Sequence, residues 1–267
     1  MKTPLTYYGG KQQMAATILK LLPEHKMYVE PFMGGGAIFF AKEPCQAEAI
    51  NDTNGELINF YEVMKRDFPA LRSEIEISLH SRKQHHQAEV VYANPDMFDR
   101  VKRAWAVWML ANTSYGSMLD GTFGYDRKGK FGMKVTNKRE AFTSEYAIRL
   151  QNTTIECCDA LRIIKSRDTP DTFFYCDPPY VGADQGHYDG YTQEDFDRLL
   201  ETLAGIQGKF LLSSYRNAAL DGYVEKHGWE GAEFKMALGM TPGYGSKRQK
   251  IEVLTANYPI TGRLKAE

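Results

Sequence analysis

The sequence predicts an α/β fold, a doubly wound and mostly parallel sheet interrupted by a long inserted segment, and three observations carry that expectation. Thr172-Phe173-Phe174-Tyr175-Cys176 is an aromatic and β-branched run of the kind that forms a strand buried on both faces. Met27 to Phe32 reads as a second such strand, closed by three consecutive glycines and followed by a helical run. Strand and helix then alternate after a middle segment whose own pattern is helical.

Along the chain, Met27 to Phe32 passes through Gly34-Gly35-Gly36 into a helix over Ala37 to Lys42. Ala47 to Ile50 makes a short strand ending in Asn51-Asp52, and Asn54 is placed to cap a helix from Gly55 to Arg66. Within the insert, Pro95 to Asn112 sets Phe98, Val101, Trp105, Trp108 and Met109 on one helical side, a core-packing pattern. Thr122 to Val135 reads as a β-hairpin turning near Lys128-Gly129. Strands are expected again at Thr153 to Cys157, Thr172 to Cys176, Lys209 to Tyr215, Ala232 to Leu238 and Ile251 to Asn257. Helices are expected at Thr192 to Ile206, opened by a threonine cap with acids in its first turn, and at Asn217 to His227. The core then comprises residues 1–67 with 151–267, and the insert residues 68–150.

The chemistry gathers at the strand ends. Pro178 and Pro179 have no N–H for a ladder, so the strand stops sharply and its carbonyls leave the sheet unpaired and stiffly aimed. Ligands of open α/β sheets bind in the crevice beyond the carboxyl ends of the strands, which puts Asp177 and Tyr180 in a cleft. A carboxylate, the fixed Pro178 carbonyl and a flat ring suit a planar heterocycle whose exocyclic amine donates two hydrogen bonds. The glycine turn permits close approach of a ligand and leaves N–H groups at a helix N-terminus, suited to a carboxylate or phosphate. A nicotinamide fingerprint needs glycine at the first, third and sixth positions, and counted from Gly34 the sixth is Phe39. Asp52 ends its strand where nucleoside-binding sheets hold ribose hydroxyls, and reads equally as a turn or capping aspartate.

Other chemistries find little support. Pro44-Cys45-Gln46 spells the nucleophile tripeptide of cytosine carbon-5 methyltransferases but lies at the entry to the second strand, not after a later one that would carry sulfur to the cleft. Cys45, Cys157, Cys158 and Cys176 include no Cys-x-x-Cys pair, and no metal is expected. Cys176 reads as a small core residue, and His85-His86, in a polar stretch, as a solvated surface pair. At 267 residues and 43% apolar content the chain can bury a substantial core. No apolar stretch approaches a membrane span, Met1 to Leu5 lacks the hydrophobic region of a secretion signal, and unpaired cysteines suit a reducing cytoplasm. Formal net charge is −1, so any phosphate-binding surface must be local.

Together, Tyr7-Tyr8-Gly9-Gly10-Lys11, Pro31-Phe32-Met33-Gly34-Gly35-Gly36, Asn51-Asp52 and Asp177-Pro178-Pro179-Tyr180 resemble the Dam-type DNA adenine-N6 methyltransferases, in that family's alpha-group motif order and over nearly the whole chain. The resemblance implies a Rossmann-like doubly wound methyltransferase sheet with an inserted, mainly helical target-recognition domain carrying a β-hairpin. It implies S-adenosylmethionine as methyl donor, contacted by Tyr7, Lys11, Asp52 and Asp177, with Asp52 on the ribose hydroxyls and the turn Pro31, Phe32, Gly34 and Gly36 facing the methionine part. Asp177 and the Pro178 carbonyl would accept the two amine hydrogens of an adenine flipped out of double-stranded DNA, and Tyr180 would stack on it. The implied partner is double-stranded DNA, met by a cytoplasmic monomer without membrane attachment.

Arg127, Lys128, Lys130, Lys134, Lys138 and Arg139 form a basic cluster read either as a solvated loop or as a groove-reading ribbon, Arg127 at a base edge and Lys128, Lys130 and Lys134 on phosphates. Lys247-Arg248-Gln249-Lys250 is a second basic run, and Val181 to Tyr191 reads either as a lid or as a surface loop. Thr6 stands where GATC-reading members carry lysine, and Gly132-Met133-Lys134 where their hairpin has Asn-Val-Pro, so GATC is not assigned. The rival readings are methylation of a cytosine amine or of RNA, a DNA-binding module without turnover, and a nicotinamide oxidoreductase.

Overall fold

The structure is a computed structural model that describes residues 1–181, 190–237 and 249–264. Helix α1 (Ala15–Leu21) precedes strand β1 (Met27–Glu30), which runs through the glycine turn into α2 (Ala37–Ala41) and then β2 (Ala47–Asn51). Asn54 caps α3 (Gly55–Arg66), its Oδ1 accepting from the Glu56 and Leu57 N–H groups at 3.0 and 3.1 Å. The insert follows as α4 (Phe68–Glu76), α5 (Arg82–Ala93), α6 (Arg100–Thr113), α7 (Lys130–Glu140) and α8 (Glu145–Leu150). The chain re-enters the sheet through β3 (Thr153–Glu156), α9 (Ala160–Arg167) and β4 (Thr172–Cys176). It closes with α10 (Gln193–Ala204), β5 (Lys209–Ser214), α11 (Ala218–His227), β6 (Glu230–Ala237), β7 (Gln249–Ala256) and α12 (Thr261–Leu264).

The strands form one sheet in the order β3-β2-β1-β4-β5-β7-β6. β1 to β5 are parallel, and β7 runs antiparallel to both β5 and β6. The chain winds outward from β1 to β3 and restarts at β4 beside β1, so the switch point of the topology lies between those two strands and opens a crevice at their carboxyl ends. Strand alternation divides the side chains between two cores. Tyr28, Phe173, Tyr175, Leu211 and Leu254 face the side covered by the insert, while Val29, Phe174, Cys176, Phe210 and Leu212 face α9, α10 and α11.

Helix α6 is buried on every side from Ala104 to Thr113 and packs against α3, α4 and α5, so the insert is joined to the sheet by a continuous apolar core.

Two expectations are corrected. The hairpin over Thr122 to Val135 does not form: Ser114 and Phe123 make a single antiparallel bridge, and Gly129, at φ 70°, starts helix α7. The Asp126 carboxylate accepts from the Lys128 and Phe131 N–H groups at 2.7 and 2.8 Å, capping the first turn, and Val135 is buried one turn after Phe131. His85 is a core residue, not a solvated one. It shares the inward side of α5 with Ala88 and Val91, and its Nδ1 lies 2.8 Å from Thr113 Oγ1 on α6, whereas His86 is exposed. The basic run at Lys247-Arg248 and residues 182–189 of the glycine-rich stretch lie outside the described residues.

Candidate active site

Because side chains alternate along a strand, Glu30 points to the same face as Tyr28, and Asp177 lies two residues past Tyr175. Ser213 and Tyr215 continue the face of Leu211 on β5. β7 runs the other way and enters where its neighbours leave, so Glu252, two residues before Leu254, arrives at the same edge. Acids and hydroxyls from separate strands thus meet at the carboxyl edge beside the switch point.

The N-terminal segment closes this edge from above. Its Tyr7 ring rests on the glycine turn: a Cβ on Gly35 would come within 2.7 Å of Tyr7 Cβ, and one on Gly34, at φ 46°, within 3.3 Å of the ring. Tyr61 donates to the Gly34 carbonyl at 2.7 Å. Tyr7 thus packs closely on Gly34 and Gly35, while the glycine turn also lines the cavity. Two of the turn's N–H groups are also engaged, Gly34 donating to Asp52 Oδ2 at 2.9 Å and Gly36 to the Met33 carbonyl at 2.7 Å. Asp52 accepts from Asn54 N–H at 2.9 Å with its other oxygen, and burial raises its carboxyl above the usual range against those donors.

Lys11 is buried at the centre of the site. Its Nζ donates to Asp177 Oδ1 and Oδ2 at 2.7 and 3.0 Å and to the Gly9 carbonyl at 3.1 Å, lies 3.7 Å from Glu252, and sits 4.8 Å from the centroid of the Tyr180 ring. The Tyr180 hydroxyl donates toward Asp177 Oδ1 at 3.0 Å, lies 3.1 Å from Ser213 Oγ, and is bonded to Glu252. Its ring meets Tyr215 edge-on at 4.5 Å. No donor among the described residues is bonded to the Pro178 carbonyl oxygen.

Among the described residues the electrostatics follow from one ammonium among several buried acids. Burial draws the Lys11 ammonium down, but Asp177 and Glu252 outweigh it and hold it protonated. Burial raises the Asp177 carboxyl, Lys11 pulls it back, and Glu252 raises it again. Glu30 is pushed by burial up to about 8, although the Tyr28 hydroxyl donates to it at 2.6 Å.

These residues line one cavity of about 690 Å³. Tyr7, Lys11, Pro31, Phe32, Gly34, Gly36, Asp52, Asp177, Pro178 and Tyr180 all face it, so every residue expected in the catalytic and cofactor sets is brought to one place. Sequence reasoning missed Glu30, Tyr215, Glu252 and Ser213, and Asp159 to Leu161 on the β3 side. Glu252 carried a signal, as the one acid in Ile251-Glu252-Val253-Leu254, but only the antiparallel pairing turns it toward Asp177.

The basic cluster divides. Arg127, Lys128 and Lys130 are exposed at the start of α7, apart from the cavity lining. Lys134 donates to Ser117 Oγ at 3.2 Å, Lys138 to the Thr3 carbonyl at 2.7 Å and Arg139 to the Ser78 carbonyl at 2.9 Å, so these three brace the insert. Among the described residues no group of His, Cys, Asp or Glu is arranged to hold a metal, and no helix is long and apolar enough to cross a membrane. Cys45 is absent from the cavity lining, and Cys176 is buried on the opposite face of the sheet.

The glycine turn and the Asp-Pro-Pro-Tyr strand end, the segments that resemble DNA adenine-N6 methyltransferases, meet in one switch-point crevice. The chain belongs to the D12 class N6 adenine-specific DNA methyltransferases, whose family model matches residues 7–223. It is 32% identical to the Type II methyltransferase M1.LlaDCHI of Lactococcus lactis subsp. cremoris, covering 94% of this chain and 93% of that one. It is 28% identical to the Type II methyltransferase M.MjaIII of Methanocaldococcus jannaschii (97% and 99% covered) and 27% identical to a DNA adenine methylase of Salmonella typhimurium (95% and 94% covered).

Proposed function

We propose that this chain transfers a methyl group from S-adenosylmethionine to N6 of an adenine turned out of double-stranded DNA. The observation that carries the reading is the Asp177 carboxylate, placed beside the Pro178 carbonyl in the same cavity as Lys11, Asp52 and the glycine turn. The cavity has the size of an ordinary small-molecule site. Among the described residues two carboxyls, Asp177 and Glu252, face one ammonium there, and that surplus of acid suits a sulfonium cation. When bound, the donor supplies a methyl group on that sulfonium.

The chain's own residues do the rest. An adenine amine has its lone pair delocalised into the ring, so it needs stabilisation of developing positive charge more than a base. Asp177 and the Pro178 carbonyl accept its two hydrogens and meet that charge with fixed negative partners. Tyr180 and Tyr7 wall the space in which the base and donor are held in line, an alignment worth on the order of 7–11 kcal/mol. Asp52 holds the ribose hydroxyls, and Asp177 takes the proton released after transfer. Residues 1–67 and 151–267 act as the catalytic domain and 68–150 as the DNA-binding insert, with Arg127, Lys128 and Lys130 on the duplex. The reading includes a monomer working in the cytoplasm.

Purified protein incubated with methyl-labelled donor and duplex DNA is expected to yield label as N6-methyladenine. Asp177→Ala is expected to abolish transfer while keeping the wild-type circular dichroism spectrum. Label in another nucleoside, or near-normal turnover by Asp177→Ala, removes the reading.

A further inference from the structure

Several acceptors compete for few hydrogens behind Asp177. The Tyr180 hydroxyl carries one hydrogen, with Asp177 Oδ1 at 3.0 Å, Ser213 Oγ at 3.1 Å and Glu252 Oε1 closest of all. The Ser213 hydroxyl donates to the same Glu252 oxygen at 2.5 Å. Lys11 has three hydrogens and directs them to the Gly9 carbonyl and to both oxygens of Asp177. In this arrangement Asp177 is occupied by the ammonium. An incoming amine that donates to Asp177 must share or displace it, and a buried ammonium cannot be left without a partner. Among the described residues, Glu252, 3.7 Å from Lys11 Nζ, is a carboxylate within reach.

We propose that Glu252, braced by Ser213, is a positioning residue: it anchors the Tyr180 hydroxyl and receives the Lys11 ammonium when Asp177 turns to the incoming amine. This rests on the adenine-methylating reading and adds to it a residue from β7, outside every motif that carried that reading. A buried acid merely satisfied by its neighbours would show the Ser213 and Tyr180 bonds too. It would not need to stand one short movement from a lysine already bonded to both oxygens of another acid.

Among the described residues, the charged and titratable groups that interact with Asp177 include Lys11 from the N-terminal segment, Glu30 from β1, Tyr175 and Cys176 from β4, Tyr180, and Glu252 from β7. Glu252 is one of the groups that raise the Asp177 carboxyl. Removing its charge lets Asp177 ionise at lower pH, so the acid limb of the rate profile moves down. Glu252→Gln, nearly isosteric, is expected to lower kcat by about tenfold with donor KM little changed, as for an interaction realised after binding. The acid limb moves to lower pH in that variant, and Glu252→Asp restores part of the rate. Ser213→Ala leaves every charge in place and is expected to lower kcat by only about two- to fivefold with the acid limb unmoved. It also serves as the test should Glu252→Gln not fold. Wild-type kcat with an unchanged pH profile in Glu252→Gln, or no loss in Ser213→Ala, overturns the inference. An inactive Asp177→Ala beside a fully active Glu252→Gln overturns this inference alone, whereas an active Asp177→Ala overturns the adenine reading beneath it.

Discussion

Two buried ionic clusters share the insert-facing side of the sheet. At its lower end Lys42, 3% exposed, and Arg149, 8%, close on Glu48, 6%. At the carboxyl edge Lys11, 8% exposed, lies between Glu252, 8%, and Asp177, whose 19% is turned to the cavity. The lower cluster has two cations to one acid and is lidded by rings, Lys42 over Tyr28 at 4.6 Å and Arg149 over Phe39 at 3.8 Å. Among the described residues the upper has one cation to two acids, and it opens on a 690 Å³ space. Their acids answer accordingly. Burial would raise the Glu48 carboxyl, but Arg149 and Lys42 hold it below the usual range, whereas burial keeps Asp177 above its own. A closed cluster with its acid fully matched braces the fold, and an open one with acid in surplus waits for a ligand.

The largest effect that would test this contrast is on rate. Asp177→Ala should cost at least two to three orders of magnitude in methyl transfer, about what a single preorganised charge partner supplies. Because it also relieves acid crowding, its melting temperature should fall little if at all; a large drop would show that both clusters brace the fold. Arg149→Met should do the reverse. It leaves Glu48 with half its partners and should cost about 3–5 kcal/mol in a denaturant titration, with turnover per folded molecule unchanged.

Glu30 joins the two clusters, since its partner Tyr28 lies under Lys42 and its carboxyl faces Asp177. Its value is raised on folding from 4.5 to about 8, so between those limits the folded chain holds a proton that the unfolded chain has released. Stability from this group is full below the unfolded value and is lost as pH rises through the folded one. Glu30→Gln should remove that decline, read as a flatter dependence of melting temperature on pH. The smallest effect concerns the basic cluster. Lys128→Ala should reduce the slope of log affinity for DNA against log salt by about one, whereas Lys134→Ala, whose ammonium is held by Ser117, should leave that slope unchanged.

Much of this was legible in the chain because its causes are local. The strand Thr172–Cys176 was delimited by the Asp-Pro-Pro that follows it, and the Asn54 cap and the Thr192 to Asp195 capping box needed only neighbours in sequence. The misread hairpin is instructive, since Lys128-Gly129 with its positive φ fits a hairpin turn and a helix start equally. Asp126 and the packing of Phe131 on Gly124, where a Cβ would come within 2.4 Å of the ring, decide for the helix. His85 failed for a similar reason: its polar neighbours suggested solvent, and only the approach of α6 buried it.

The sequence by itself determined which segments become strands, where prolines and glycines stop them, and that Asp177 and Pro178 leave a buried strand together, because those outcomes depend on backbone sterics within a few residues. Tertiary structure alone decided that Tyr7 packs on the glycine turn, that Lys11 reaches Asp177, and that Glu252 stands behind both. Those partners lie far apart in the chain, and parallel and antiparallel pairing must first bring their strand ends to one edge before burial and charge can act between them.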